Sequence, residues 1–447
     1  MTRKKILFAN VPLDGHFNPL IPLAAWLLSK GHDVRWYTGV GYKEKIEKLG
    51  IRFYPCIKAL DFSSKDLGEF FPERELIKSK IGKLKFDIKN GFVLRSPEYF
   101  EDIKDINRSF DFDLLIADVA FTATPFIKHK LHKPVISIGV FPLTETSVDL
   151  PPNGLGLTPA KNIVGRVFHK GLKWIVDTFI FRESKQLVDS LYSRYHMKPL
   201  KGNVFNVLCR ESTLLLQSGT PGFEYFRSDL GSNIRFIGPL IPTLKNNSSD
   251  PTYAEKLKRF KNVILVTQGT VEKDINKIIV PTLEAFKNDS DTAIVVTTGG
   301  SQTKELQKKY MSANIIIEDY IPFDAIMPYA DVFVTNGGYG GVMFGISYGL
   351  PMVVAGVNEG KNEICARIGY FKLGIDLKTE TPSAQKIRDA VTSVLNDAAY
   401  KCSVSQLQQE FSEYKPLELI DEYVEQALKT VKKKTHRDFT LFELEAA

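Results

Sequence analysis

"KILFANVPLDGHFNPLIPLAAWLLSKGHDVRWYTG" fills residues 5–39 and contains a complete strand–helix–strand unit. "KILFAN" and "DVRWYTG" are short apolar and aromatic runs, which read as buried strands. "NPLIPLAAWLLSKG" between them reads as a helix, opened by proline and closed by Gly31. Two strands joined by a helix run parallel, because the crossover brings the second back in the direction of the first. The first strand ends at "DGHFNP" (14–19). A histidine placed there is either an ordinary polar loop residue or a base at the mouth of a cleft, and the rest of the chain has to decide between them.

The same alternation continues. "DLLIAD" and "PVISIG" are two more buried strands, and continuous apolar strands of this kind imply a parallel sheet covered on both faces. Residues 60–110 and 141–200 are richer in Phe, Pro and Lys and read as helix and loop inserted over the open end of the sheet. Near 239 the pattern breaks: "PLIPTLKNNSSDP" combines prolines with a polar Asn-Asn-Ser-Ser tract, a linker signal. A second α/β series follows in "NVILVTQGT", "TAIVVTTGG", "NIIIEDYIP", "VFVTNGG" and "PMVVAGV". The expected division is 1–238, a linker at 239–252, 253–425, and a C-terminal helix end and tail at 426–447. Two doubly wound domains then face each other, and their ligands bind beyond the C-terminal ends of the strands.

A chain of 447 residues is too long for one core, and 43% hydrophobic with 25% charged residues is ordinary globular usage. The formal charge is +7, with lysines scattered among acids. The one long basic run, "KKKTHR" at 432–437, closes a helix, so nucleic acid is not an expected partner. Cys56, Cys209, Cys365 and Cys402 form no CxxC pair, which fits a reducing cytosol without a disulfide framework or zinc site. The basic and then apolar start is broken by Asn10 and Pro12, unlike a signal peptide. No run approaches the ~20 apolar residues of a membrane span. The expectation is a soluble, cytoplasmic protein, with nothing to indicate an oligomer.

"VTNGGYGGVMFG" (334–345) places Gly337, Gly338, Gly340 and Gly341 between a buried strand and a helix. A tight turn needs one or two glycines; four suit a backbone that must approach an anion at a helix N-terminus. No Gly-Lys-Ser/Thr follows, so this is not a Walker A loop. "TQGT" (267–270), with Gly269 and Thr270, and "TTGG" (297–300), with Gly299, are further glycine exits in the same half. Together the three would ring a diphosphate pocket without requiring a metal.

With these motifs assembled, the chain resembles the GT-B glycosyltransferases of the family that includes bacterial macrolide and flavonoid glycosyltransferases and the UDP-glycosyltransferases. "GHFNPLIPLAAWLLSKGHDVRWYTG" resembles the N-terminal segment of that family, and "PLTETSVDLPPNGLGL" its acceptor-domain loop. "DYIPFDAIMPYADVFVTNGG" to "GLPMVVAGVNEGKNEICARIGYFKLGIDL" follows its donor signature. The resemblance covers residues 4–430. It implies an N-terminal acceptor domain, a C-terminal nucleotide-sugar domain, and inverting, metal-independent transfer to a small-molecule acceptor. No cofactor is expected, only a UDP-sugar or dTDP-sugar as co-substrate. It implies that His16 is the base that deprotonates the acceptor hydroxyl, a task suited to an imidazole. It makes Asp118, at the end of "DLLIAD", the carboxylate that orients His16. The "DFD" at 111–113 formally matches a metal-binding DxD but precedes its strand, and reads as a solvated turn.

Departures from the family pattern bear on the donor. Asn336 stands where a histidine usually contacts the diphosphate, and it brings no positive charge. Phe344 stands in place of a glutamate that holds the ribose hydroxyls, which favours a deoxyribose donor such as a dTDP-sugar, while the changed sugar-reading pair at 358–363 fits a 6-deoxy sugar such as rhamnose, with glucose as the other possibility. Tyr320, next to Ile321, takes the place of a base-stacking tryptophan, and Phe323 replaces a glutamine. Glu359, Gly360, Lys361, Asn362 and Glu363 fall where a sugar-reading pair belongs, in a register the sequence leaves open. Phe17, Phe62, Phe86, Phe121 and Phe141 are the candidates for an apolar acceptor pocket, one suited to a flavonoid or other hydroxylated natural product. Phe70, Phe71, Phe92, Phe179 and Phe181 belong to the same aromatic-rich stretches. Two alternatives share the architecture. A sugar-nucleotide epimerase is disfavoured by "DGHFNP", and a non-catalytic sugar-nucleotide-binding relative is disfavoured by the presence of both His16 and Asp118.

Overall fold

The computed structural model describes residues 2–63, 67–241, 251–269 and 272–445. Thr270 and most of the linker lie outside them. The first half is one parallel sheet of seven strands: β1 Lys5–Ala9, β2 Asp33–Thr38, β3 Arg52–Pro55, β4 Leu114–Asp118, β5 Val135–Gly139, β6 Leu214–Ser218 and β7 Ile234–Gly238. Their order is β3-β2-β1-β4-β5-β6-β7. The second half has six: β8 Asn262–Thr267, β9 Thr292–Thr297, β10 Ile315–Glu318, β11 Val332–Thr335, β12 Met352–Val354 and β13 Gly374–Asp376, in the order β10-β9-β8-β11-β12-β13. All pairs within both sheets are parallel. Two doubly wound domains of the GT-B kind are therefore present.

Each sheet is covered on both faces, as its continuous apolar strands require. Along β1, Leu7 and Ala9 enter one core while Ile6 and Phe8 enter the other. In β8, Leu265 and its neighbours Ile264 and Val266 divide in the same way. The insertions at 60–110 and 141–200 supply helices such as Lys80–Asp87, Ser96–Ser109, Ile163–Ile175 and Arg182–Arg194. The sequence reading passes over β3, β6, β7 and β13: β3 and β13 are short edge strands with little apolar signal, and β6 and β7 lie beyond the insertion at 141–200, where the strand–helix alternation is interrupted.

The C-terminal helix Pro416–Glu445 crosses back to the first half. Ile420, Val424 and Ala427 are buried there among Leu23 and Leu27, and Trp26 Nε1 donates to Asp421 Oδ2 at 3.0 Å. Burying an Ile or Val side chain contributes about 1.5–3 kcal/mol, enough to hold the returning helix in place. The elements of the second half accordingly end with helix Ala398–Glu413, not at the expected 425.

Candidate active site

In each sheet the strand order reverses once, between β1 and β4 in the first and between β8 and β11 in the second. Chains leaving such neighbouring strands diverge and open a crevice. The register Ala9↔Ala117 sets Asp118 beside the chain leaving β1. Val11 N donates to Asp118 Oδ2 at 2.8 Å, and Ala120 N donates to Oδ1 at 2.8 Å. His16 lies in the single helical turn Asp14–Phe17, and its Nδ1 meets Asp118 Oδ1 at 2.7 Å. The carboxylate is fully buried, whereas the imidazole keeps 15% exposure. Two backbone donors lock the carboxylate, which therefore selects the His16 tautomer carrying its proton on Nδ1. Nε2 is left as a lone-pair acceptor. The Phe141 ring stands edge-on to the imidazole at 6.1 Å.

At the other reversal the glycine exits of β9, β8 and β11 lie side by side. Gly269 follows β8, Gly299 follows β9, and Asn336 with Gly337 follows β11. Asn336 Nδ2 donates to the Gln268 carbonyl, and its Oδ1 accepts from Gly338 N at 3.3 Å. Gly337 has φ +76°, and a Cβ there would lie 2.4 Å from Cys365 Sγ, so no larger residue fits without movement. Gly338 then opens helix Tyr339–Ser347 without a side-chain cap. The first-turn N–H groups, those of Gly340 and Gly341 included, lack partners within the helix. Tyr320 follows β10, is 67% exposed, and donates from its hydroxyl to Gly299 O at 3.0 Å. Its neighbour Ile321 is buried in the core.

Lys361 brings a cation close to this edge. A Cβ on Gly356 would touch both Asn336 O, at 2.3 Å, and Lys361 Cβ, at 2.9 Å, so the lysine stem packs beside the Asn336 backbone. Its Nζ pairs with Glu359 Oε2 at 2.7 Å. Glu359 itself has φ +55° and an exposed side chain, and Gly360 begins helix Lys361–Tyr370. Phe344 and Phe323, the two apolar replacements, pack edge to face at 5.2 Å.

The C-terminal edges of the two sheets meet. The Tyr339 hydroxyl donates to Ser218 O at the end of β6 and accepts from Gln217 Nε2 at 3.2 Å. Arg367, 1% exposed, holds Glu224 at 2.9 Å and Glu363 at 3.3 Å, with the Tyr225 ring 4.3 Å from its guanidinium carbon. Burial acts to lower the Arg367 pKa, but Glu224, Tyr225 and Glu363 hold it above its ordinary value. Glu363 Oε1 also accepts from Gly154 N at 2.8 Å and Gly156 N at 2.9 Å. Asn362 Nδ2 donates to Gly154 O at 2.8 Å. The loop at 154–156 is thereby fastened to the second domain.

Several expectations need correction. Phe17 is fully buried against Trp36 and Tyr42, and Phe121 lies in the opposite core against Tyr37 and Tyr99. Neither ring reaches a pocket. Phe62 is buried on Phe70, and Phe86 is half-buried on Phe71. Phe141 remains, beside His16. Asn362 and Glu363 use their polar atoms on the 154–156 loop, so both serve the junction between domains in this conformation. The junction carboxylate Glu224 and cation Arg367 are absent from the sequence reading. The i,i+4 spacing of Glu363 and Arg367 was a signal that could have found half of this network. The "DFD" carboxylates have structural partners: Asp111 pairs with Lys133 at 2.6 Å and Asp113 accepts from Lys5 N at 2.8 Å.

The sequence profile described as "Erythromycin biosynthesis protein CIII-like, C-terminal domain" matches residues 282–426. The chain is 32% identical over 408 residues to 4'-demethylrebeccamycin synthase of Lentzea aerocolonigenes, covering 91% of this chain and 96% of that protein. It is 30% identical over 436 residues to UDP-glucosyltransferase 1 of Beauveria bassiana (strain ARSEF 2860), covering 94% of each. In fold it is similar to the crystal structure of the kitacinnamycin glycosyltransferase, with a TM-score of 0.73, 17% identity, and 95% of this chain and 99% of that chain covered.

Proposed function

The chain belongs to the family 1-type glycosyltransferases and is a nucleotide-sugar-dependent enzyme, and we propose that it transfers a hexose, with inversion, to a hydroxyl of a small apolar or aromatic acceptor. The observation carrying this reading is the 2.7 Å contact between His16 Nδ1 and a buried Asp118 locked by two backbone donors. His16 Nε2 takes the acceptor proton as the acceptor oxygen attacks the anomeric carbon. The bond from that carbon to the diphosphate oxygen breaks, and the nucleoside diphosphate departs with the electron pair. A single displacement inverts the carbon. Asp118 stabilises the imidazolium formed in this step. Charge on the leaving diphosphate falls to the N–H groups opening helix Tyr339–Ser347 and to Lys361, with no metal required.

Two observations point to different donors. The Phe323–Phe344 pair offers no acceptor to a 2′-hydroxyl and supports a dTDP donor, with rhamnose as the sugar favoured by the changed residues at 358–363. The name of the Beauveria relative supports UDP-glucose, and at 30% identity over nearly the whole chain it carries more weight than two substitutions. Phe141 beside the base supports a flat or greasy acceptor such as a flavonoid. Four free cysteines support a cytosolic setting. The test is a polyphenol panel with UDP-glucose and, separately, dTDP-rhamnose, read by product mass against a His16→Ala variant. Glycoside formed by the wild type and lost in the variant supports the dyad, and the donor consumed selects between UDP-glucose and dTDP-rhamnose. Nucleotide binding without product from either donor would favour a non-catalytic role.

A further inference from the structure

Helix Ile163–Ile175, in the insertion over the first sheet, contains no buried residue. Ile163, Val164, Val167, Phe168, Trp174 and Ile175 are all exposed, Val164 at 78% and Trp174 at 64%. At 100° per residue these six positions fall on one face. Leaving that much apolar surface in water is unfavourable, and a contiguous patch of this kind marks a contact site.

Charge selects the occupant. Residues 161–175 carry Lys161, Arg166, Lys170 and Lys173 and no carboxylate. Lys173 turns inward to the Ser147 carbonyl, while Lys161, Arg166 and Lys170 are exposed along the helix. Helix Lys80–Asp87 adds apolar surface on the same side of the sheet, with Ile81 and Leu84 exposed; its Lys83 is paired with Glu75 at 3.0 Å and it carries Asp87, so the cationic character rests on helix Ile163–Ile175. Both helices run into π turns, at Ile88–Phe92 and Val176–Ile180, whose Ile88 and Val176 share one core. A second copy docked on this face about a two-fold axis would set like charges against each other. An anionic lipid surface accepts both components, apolar residues into the acyl boundary and cations among the headgroups.

We propose that helix Ile163–Ile175 docks the enzyme on an anionic membrane surface. It lies in the plane of the interface with Trp174 at headgroup level, where an indole is favoured. The acceptor domain then faces the bilayer, and an acceptor dissolved in lipid is collected from there; that last step rests on the proposed acceptor class, whereas docking does not.

The test uses the full chain with vesicles of phosphatidylcholine alone or mixed equally with phosphatidylglycerol, read by co-sedimentation and tryptophan emission. Of the three tryptophans Trp36 is buried, Trp26 is half-buried and Trp174 is exposed, so an emission shift that a Trp174→Phe variant abolishes reports on this helix. The expected result is binding to the phosphatidylglycerol vesicles with a blue shift. Val164→Ser/Phe168→Ser should weaken binding about tenfold while leaving nucleotide-sugar binding intact. Lys170→Glu should weaken it on phosphatidylglycerol alone. Absence of binding to either vesicle, or binding unchanged in the double variant, would overturn the proposal. So would a dimer in sedimentation velocity that the double variant dissociates, without lipid binding.

Discussion

The two strand-order reversals have the same geometry and are furnished in opposite ways. Between β1 and β4 the crevice is built from side chains: an imidazole and a carboxylate that already holds its three hydrogen bonds. Between β8 and β11 it is built from backbone, with glycines, uncapped helix N–H groups and one amide side chain. The difference fits the division of labour proposed for the two edges. Proton transfer needs a group that can change its charge, held in one orientation. A diphosphate is already charged and needs only closely placed donors.

Removing the side chain at the first reversal should cause the largest loss. His16→Ala should lower kcat by about 10²–10⁴-fold and leave the KM for the donor little changed. Initial rates over a range of donor concentrations separate the two parameters. A rise in donor KM with unchanged kcat would blur the division of labour between the two edges.

The junction that holds the two edges together comes next. Arg367→Met removes the buried cation that bridges Glu224 and Glu363; Glu224 keeps Arg227 at 3.5 Å and Glu363 is partly exposed, so the loss in a denaturant melt should fall at the lower end of the range for a broken buried pair, about 3 kcal/mol. Replacing Glu363 by glutamine in the same chain should restore part of that loss, because Glu224 still has Arg227 whereas Glu363 is the carboxylate that loses its cation.

At the second reversal the backbone itself is the target. Gly337→Ala forces a side chain onto φ +76° and against Cys365. The left-handed conformation alone costs about 1–2 kcal/mol. A raised donor KM with kcat close to normal is the expected signature, the mirror image of His16→Ala. Phe344→Glu should have the smallest effect. One new acceptor facing a ribose hydroxyl contributes about 1 kcal/mol, roughly a fivefold shift toward UDP over dTDP donors in competition.

Both sheets were legible because their central strands are continuous apolar runs with glycine exits, and parallel pairing follows from the helices between them. The His16–Asp118 contact spans 102 positions, yet it could be anticipated, because residues at the ends of adjacent parallel strands must be neighbours. The junction was not legible in this way. Tyr339 reaches Ser218 across 121 positions and Arg367 reaches Glu224 across 143, and no sheet register relates the halves. The acceptor wall was only partly legible for another reason. Phe17 and Phe121 sit at strand ends as Phe141 does, but an apolar ring fits a core as well as a pocket, and only packing tells them apart. The exposed face of helix Ile163–Ile175 was hidden similarly, since its periodicity is that of a helix with a core to cover.

His16 is the group proposed to take the proton from the acceptor. The most direct measurement is kcat for wild type and His16→Ala across phenolic acceptors of graded acidity at one pH. A base is needed only while the acceptor holds its proton. A loss of about 10²–10⁴-fold is therefore expected for weakly acidic hydroxyls, shrinking steadily as the phenols become ionised. A loss of the same size at every acidity would contradict that role and assign His16 to positioning alone.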